Sequence, residues 1–171
     1  NGSKRDIISL KYIGTLGAQT GTDTLDIGGD IYAWGENEYE RLGFDNGSTS
    51  DVATPGQVIA VNDIVQVSHM AQYGTIYLHQ DGTVSSVGRN DSGQLGLGDT
   101  TDRTTITKIP EFNDGTPFNN VVSICCGYKH TLALHSDGTV SAWGSGNSDR
   151  LGLDNWSDVN RPTKIPYFED G

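Results

Sequence analysis

The sequence has little cysteine, little positive charge and no long hydrophobic run. Its two cysteines, Cys125 and Cys126, are adjacent, so they cannot form a framework of disulfides between distant strands. Eleven basic residues stand against 22 acidic ones, and the formal net charge of −11 disfavours nucleic acid and anionic lipid as direct partners. No apolar run approaches the roughly 20 residues of a membrane-spanning helix. We therefore expect neither nucleic-acid binding nor membrane insertion.

Glycine, by contrast, is abundant, with 23 residues among 171. Valine, isoleucine and threonine are frequent and fall in short runs, while no stretch repeats apolar residues at helical spacing. Short strands joined by tight turns produce this pattern. The length is that of one domain with room for a core. We therefore predict an all-β fold.

Internal repetition is the main signal in the sequence. A five-residue segment ending in glycine occurs three times, at intervals of 53 and 56 residues, as Ile31–Gly35, Val84–Gly88 and Val140–Gly144. Each copy is followed by a Leu-Gly pair, at Leu42-Gly43, Leu95-Gly96 and Leu151-Gly152. Two recurring blocks in a fixed order indicate a tandem repeat.

A turn motif shows how the strands of each repeat are joined. Asp81-Gly82 and Asp137-Gly138 lie 56 residues apart, each between two short apolar runs. Asp-Gly between such runs favours a two-residue hairpin, because both central residues must tolerate a positive φ. Four short antiparallel strands in roughly 55 residues are typical of a β-propeller blade.

Three segments carry a family resemblance: Asn90–Asp99, Cys126–Leu134 and Val140–Asn147. They resemble the repeat of the regulator of chromosome condensation (RCC) family, and the match covers nearly the whole chain. The resemblance implies tandem four-stranded antiparallel β-propeller-type blades, about three blade equivalents here. Members of this family usually close seven blades, which needs a longer chain than this one.

The repeat pattern predicts that the chain begins and ends in the middle of a blade. The single repeat domain, 1–171, is divided into a second half-blade (1–29), two blades (30–82 and 83–138) and a first half-blade (139–171). The two halves are complementary, so tail and head of successive copies would complete one more blade. The candidate residues for this self-association are Ile7, Ile8, Leu10, Ile165 and Phe168.

Other residues stand out by position. Trp34 and Trp143 recur at one position of the repeat, which predicts a structural core role, and the family resemblance gives His130 a structural role as well. Trp156 lies in a polar loop and is a candidate partner contact, as is Tyr128. We find no catalytic, metal-binding or cofactor-binding motif. The sequence therefore predicts a non-enzymatic protein without cofactors.

Four Asn-X-Ser sequons, at Asn1, Asn46, Asn90 and Asn155, are candidate glycosylation sites. Because glycosylation of this kind belongs to the secretory pathway, they favour an extracellular or cell-surface location, with a cytoplasmic one as the alternative.

Three functions follow from these observations. The first is a structural module that associates end to end with copies of itself, or with adjoining repeats of a longer chain, by completing a split blade. The second is a segment of a larger closed propeller that serves as a protein-binding scaffold. The third, implied only by the resemblance to the founding nuclear member of the family, is guanine nucleotide exchange on a small GTPase.

Overall fold

The computed structural model describes residues 31–44, 46–58, 63–70 and 73–166. Within these ranges the strands are β1 (Ile31–Gly35), β2 (Val52–Val58), β3 (Ile64–Met70), β4 (Gly74–His79), β5 (Val84–Gly88), β6 (Arg103–Lys108), β7 (Val121–Cys126), β8 (His130–His135), β9 (Val140–Gly144) and β10 (Val159–Lys164). Short 3₁₀ turns follow β1 and β9, at Glu38–Glu40 and Asn147–Asp149. No helix in this part of the chain has the length and apolar character needed to cross a membrane.

The strands form antiparallel sheets in sequence order. β1 and β2 pair as a two-stranded sheet, β3 to β6 form one four-stranded sheet, and β7 to β10 form another. In both four-stranded sheets each strand pairs with its neighbours in the sequence, as in the blade of a propeller. The prediction of an all-β fold built from four-stranded antiparallel blades is therefore confirmed.

The predicted blade boundaries, however, were wrong by half a repeat. Each predicted unit, 30–82 and 83–138, holds the last two strands of one sheet and the first two strands of the next. In the segment predicted as a half-blade, 139–171, β9 and β10 complete the sheet begun by β7 and β8. A repeat has the same period wherever it is cut, so only the hydrogen-bond pairing shows which strands share a sheet. The predicted half-blade 1–29 lies outside the described residues.

The Asp-Gly turns join the central strands of each blade. Asp81 accepts hydrogen bonds at Oδ1 from the backbone N–H of Thr83, at 2.9 Å, and from its hydroxyl, at 2.6 Å. Gly82 has φ of +76°, which disfavours any residue with a Cβ. Asp137 and Thr139 repeat the arrangement at 3.0 and 2.7 Å. The same short sequence therefore builds the same hairpin in both four-stranded sheets. The predicted two-residue turn was wrong, because each loop has three residues and only its glycine has a positive φ.

Successive residues of a strand face opposite sides of a sheet. The apolar side chains on facing sides of consecutive sheets pack together and form the hydrophobic core. Between the two four-stranded sheets the largest cluster includes Ile76, Leu78, Leu95, Ile109, Phe118, Ile124 and Trp143. A second cluster joins the two-stranded sheet to β3–β6 and includes Ile31, Ala33, Leu42, Tyr77 and Val87. The third covers the outer side of β7–β10 and includes Ala142, Leu151 and Ile165.

Candidate interaction surfaces

We call the contact between two consecutive sheets a joint. At the first joint, between β1–β2 and β3–β6, an aromatic ring packs on a Leu-Gly turn. The Tyr77 hydroxyl donates to the backbone oxygen of Leu42 at 3.5 Å, and both residues are buried. A Cβ on Gly43 would collide with this hydroxyl. Burial raises the pKa of Tyr77, so the ring stays neutral. Beside it, the Thr75 hydroxyl donates to the backbone oxygen of Arg41 at 2.6 Å. The turn thus receives a side chain from the next sheet.

The second joint repeats this arrangement with a different aromatic residue. The indole Nε1 of Trp143 donates to the backbone oxygen of Gln94 at 3.0 Å. A Cβ on Gly96 would lie 2.8 Å from that nitrogen, so only glycine allows the ring to approach. The repeat equivalents of Tyr77 and Trp143 in the other sheet are the smaller Ala133 and Val87. Each joint therefore contains one large ring over one Leu-Gly turn.

A polar clamp also holds the two four-stranded sheets together. The side-chain amide of Gln66 donates to the backbone oxygen of Ile124 at 2.7 Å and accepts from its N–H at 2.9 Å. The Ser68 hydroxyl accepts from the N–H of Cys126 at 2.9 Å. Through these bonds β3 uses side chains to satisfy the free backbone edge of β7, which fixes the position of one sheet against the other.

Buried asparagines organise the turns that receive the rings. Asn90 is completely buried, accepts from the N–H of Leu95 at 2.9 Å and donates to the backbone oxygen of Asp99 at 3.0 Å. Asn37 bonds in the same way to the N–H of Leu42 and the oxygen of Ser48, at 3.1 and 2.6 Å. This role was not predicted from the sequence, although the recurring Gly-X-Asn at 35–37 and 88–90 signals it.

This geometry corrects one glycosylation candidate. The amide nitrogen of Asn90 is buried and hydrogen-bonded, so the folded chain cannot carry a glycan there. Asn46 and Asn155 are exposed and stay candidates. Asn1 lies outside the described residues.

The outer side of β7–β10 is an open sheet face. Leu134 is 41% exposed there, whereas its repeat equivalent Leu78 is 1% exposed under the next sheet. Trp156 is 70% exposed and borders a cleft of about 750 Å³ whose floor includes Leu132 and Gly152. Among the described residues, nothing packs over this cleft as β7–β10 packs over β3–β6. We call this surface the open face.

The structure places the predicted self-association residues differently. Ile165 is 7% exposed and packs against Ala142 and Leu151, and its N–H donates to the backbone oxygen of Val140. It therefore packs within its own four-stranded sheet, and it also lines the cleft beside Trp156, so its part in self-association stays a prediction. The other four candidates, Ile7, Ile8, Leu10 and Phe168, lie outside the described residues.

The two recurrent tryptophans differ in burial. Trp143 is completely buried between the four-stranded sheets, whereas Trp34 is only half-buried. Ile31 and Ala33 of the same strand face Tyr77 and Val87 of the next sheet. Because side chains alternate along a strand, Trp34 faces the opposite side. The sheet that precedes β7–β10 covers Trp143, and a core role for Trp34 stays a prediction.

A tyrosine cluster forms a second surface, at loops between strands. Tyr73 donates its hydroxyl to that of Tyr128 at 3.1 Å, and the rings meet edge to face at 5.0 Å. The Lys129 ammonium lies 4.6 Å from the centre of the Tyr73 ring, and Asp91 bridges Lys129 and Arg89 at 3.0 and 2.9 Å. The hydrogen bond to Tyr128, with burial, raises the pKa of Tyr73 to about 12. Tyr128 itself is 55% exposed.

His130 and the cysteines lie next to this cluster. The His130 ring packs so closely on Gly127 that a Cβ there would collide with it, and burial followed by the charge of Arg150 lowers the pKa of His130. Both thiols are free, with Cys125 exposed and Cys126 partly buried. In the part of the chain that the structure describes, no three His, Cys, Asp or Glu side chains are grouped to hold a metal ion.

The two thiols should differ in reactivity. Burial raises the pKa of Cys126 to about 11, so little of it is thiolate near pH 8, and the thiolate is the nucleophile. We expect iodoacetamide at pH 8 to modify Cys125 at least about tenfold faster than Cys126 in the native chain. Peptide mass spectrometry against time measures both rates, and unfolding in guanidinium should make them similar. Equal native rates would contradict the burial of Cys126.

This chain is a β-propeller repeat protein. Its four-stranded antiparallel sheets follow one another along the chain, and a ring from one sheet packs on a glycine turn of the previous sheet. Residues 28–71 and 81–134 match the family model described as regulator of chromosome condensation (RCC1) repeat, and 121–149 match a second model of that description. The chain belongs to this family.

Relatives and solved structures agree with this assignment. The chain is 33% identical over 152 residues to the ultraviolet-B receptor UVR8 of Arabidopsis thaliana, which covers 88% of this chain and 33% of the receptor. It is 33% identical over 172 residues to protein pim1 of Schizosaccharomyces pombe, covering 92% of this chain and 32% of pim1. The structure of yeast RCC1 (Prp20) bound to Kap60 matches with a TM-score of 0.65 and 24% identity, over 80% of this chain and 33% of that one. The chain thus spans about a third of these relatives.

Proposed function

We propose that this chain is a non-enzymatic interaction module that binds further blades of its own kind through the open face, and so associates end to end. The observation that carries the proposal is the exposure of Leu134 at a position where Leu78 is covered by the next sheet. Apolar side chains that a sheet normally buries are characteristic of an interaction surface.

The proposed association uses whole sheet faces. The four strands β7–β10 already form a complete sheet, so a partner need not supply the missing strands of a split blade. The open face of one copy would meet the opposite side of β1–β2 in the next copy, the side toward which Trp34 points. Such a contact joins two different surfaces, and it produces a ring if the rotation closes or an open helix if it does not.

The solution mass of the untagged chain tests this proposal. We expect light scattering to give a mass of two or more chains at micromolar concentration, with rings or filaments in negative-stain electron micrographs. The association should strengthen with salt, because the driving force is apolar burial and each copy carries a net charge of −11 that salt screens. A monomer at all concentrations and salt levels would refute end-to-end association.

The tyrosine cluster favours a second candidate, a scaffold that binds a different protein. Its exposed Tyr128 ring and two cations near one carboxylate give an amphipathic patch of the kind that anchors interfaces. Support also comes from yeast RCC1, a structural relative seen bound to Kap60. Tyr128→Ala separates the candidates, since it should leave self-association through the open face unchanged and weaken binding at the cluster. Guanine nucleotide exchange rests on family resemblance alone, and a fold does not carry a function.

We also propose an extracellular or cell-surface location. The exposure of two sequons, Asn46 and Asn155, supports it, because both could accept a glycan without unfolding. Mapping the glycopeptides of the protein from its natural source tests the location, and unmodified asparagine at both positions would count against it.

A further inference from the structure

One repeat position, in the loop that follows each Leu-Gly turn, carries Asn46, Asp99 and Asn155. In each copy the side-chain oxygen Oδ1 accepts a hydrogen bond from the backbone N–H two residues later, at 3.0, 2.9 and 3.0 Å. A short side chain that bonds to its own backbone in this way forms an Asx turn. The chain therefore contains the same turn three times, with an amide in two copies and a carboxylate in one.

The two asparagine copies differ in the residue that follows them. Gly47 follows Asn46, is exposed and has φ of +72°, and a Cβ on it would meet nothing within 4 Å. Trp156 follows Asn155 at the equivalent place. Glycine has no side chain to shield its backbone nitrogen and is free in φ and ψ, so this nitrogen can reach the preceding side chain. Asn46 thus has a reactive neighbour that Asn155 lacks.

The exposure of Asn46 follows from its place in the loop and not from an uncovered sheet face. Asn155 is exposed at the same position. The side chain of Asp99 is 44% exposed there, although its own sheet packs against a sheet on either side. Water and hydroxide therefore reach this position even where the neighbouring sheets are in place.

We propose that Asn46 is a modification site, at which the side-chain amide is lost spontaneously through a succinimide. Hydroxide removes the proton of the Gly47 backbone nitrogen, and this nitrogen forms a bond to Cγ of Asn46. The bond between Cγ and Nδ2 then breaks, and Nδ2 takes a proton from water and leaves as ammonia. Water opens the five-membered ring at either carbonyl, which gives aspartate or isoaspartate. The sequence transfers no electrons and needs no enzyme.

The Asx turn assists the first bond-forming step. When the Gly47 nitrogen attacks Cγ, negative charge develops on Oδ1 of Asn46. The N–H of Ser48 already donates to this oxygen at 3.0 Å, so a donor is in place where the charge appears. Donors positioned in advance at a developing oxyanion lower the barrier of such an attack. The folded loop therefore promotes the reaction and does not merely permit it.

The two products have different consequences for the loop. Aspartate keeps the turn, as Asp99 does at the same repeat position. Isoaspartate adds a methylene group to the main chain and displaces Ser48, whose backbone oxygen accepts from Nδ2 of the buried Asn37 at 2.6 Å. Either product removes the sequon, and a glycan on Nδ2 of Asn46 blocks the loss of that nitrogen. Deamidation and glycosylation therefore exclude each other at this residue.

Incubation at pH 8 in water enriched in heavy oxygen tests the site, with untagged chain from a host that adds no glycans. Peptide mass spectrometry should show Asn46 gaining the label at least about tenfold faster than Asn155, because only Asn46 is followed by glycine. Chromatography should separate the labelled product into an aspartate and an isoaspartate peptide. Equal rates at the two asparagines, or no label at Asn46, would overturn the proposal.

Two variants change the following residue at the two positions. Gly47→Ala should slow the reaction of Asn46 by at least about tenfold, and Trp156→Gly should speed that of Asn155 by a similar factor. Both residues are exposed, and thermal melting checks that each variant keeps its fold. The wild-type chain unfolded in guanidinium isolates the part played by the Asx turn. Native Asn46 should react at least as fast as unfolded Asn46, and a much slower native rate would mean that the loop protects the residue.

Discussion

Replacing Trp143 with alanine should lower the free energy of unfolding by about 3–5 kcal/mol, the typical cost of deleting a large buried aromatic side chain. The ring is completely buried, contacts Phe118 edge to face at 5.5 Å and donates its N–H to the oxygen of Gln94. Its loss leaves a cavity and an unsatisfied carbonyl between the two four-stranded sheets. Urea unfolding followed by circular dichroism measures the change.

The control for this variant is Trp156→Ala. This tryptophan is 70% exposed, and at protein concentrations below any association its replacement should change the unfolding free energy by less than about 0.5 kcal/mol. A similar loss in both variants would mean that the joint at Gly96 is not the main connection between the sheets. A loss in Trp143→Ala alone supports the joint as described.

The local structure was largely predictable from the sequence, because it depends on neighbouring residues. Asp81-Gly82 lies in a hairpin as predicted, since a short carboxylate and a glycine favour a turn between two strands. The loop is one residue longer than the predicted two-residue turn, and only Gly82 has a positive φ. Trp156, proposed from its polar loop as a partner contact, is exposed, and that role stays a prediction. Such features need no knowledge of distant contacts.

The boundaries of the sheets and the role of Asn90 could not be predicted from the sequence, because both depend on contacts that short motifs do not encode. The repeat period fixes the order of the strands, but the same order fits a sheet that starts at β1 or at β3, and the choice depends on hydrogen bonds between strands. Asn90 lies in a sequon, yet its amide is directed inward by the turn that ends at Gly96. A motif of three residues carries no information on burial, so it predicted a surface role.

The two joints show why a large aromatic residue in one sheet has a small residue at the equivalent repeat position of the other sheet. Tyr77 and Trp143 belong to different strands of their sheets, but both place a polar ring atom near a turn carbonyl of the preceding sheet. The packing therefore requires one aromatic ring and one glycine per joint without fixing which strand supplies the ring.

Asn90→Ala should lower the free energy of unfolding by about 2–4 kcal/mol, because it leaves two backbone groups without their partner, each worth about 1–3 kcal/mol when buried. These are the N–H of Leu95 and the oxygen of Asp99. Asn155→Ala is the matched control, since this asparagine has the same sequon but is exposed, and we expect a change below about 0.5 kcal/mol. Equal effects would contradict a structural role for Asn90.

The turn held by Asn90 is also the turn that Trp143 covers, so the two residues should act together. Gln94, which accepts the indole N–H, directly precedes Leu95, whose N–H is bonded to Asn90. Once Asn90 is lost the turn can move, and the indole loses part of its contact even though it is still present. The double variant should therefore be less destabilised than the sum of the single ones, by about 0.5–3 kcal/mol. Strict additivity would mean that the asparagine and the ring stabilise the joint independently.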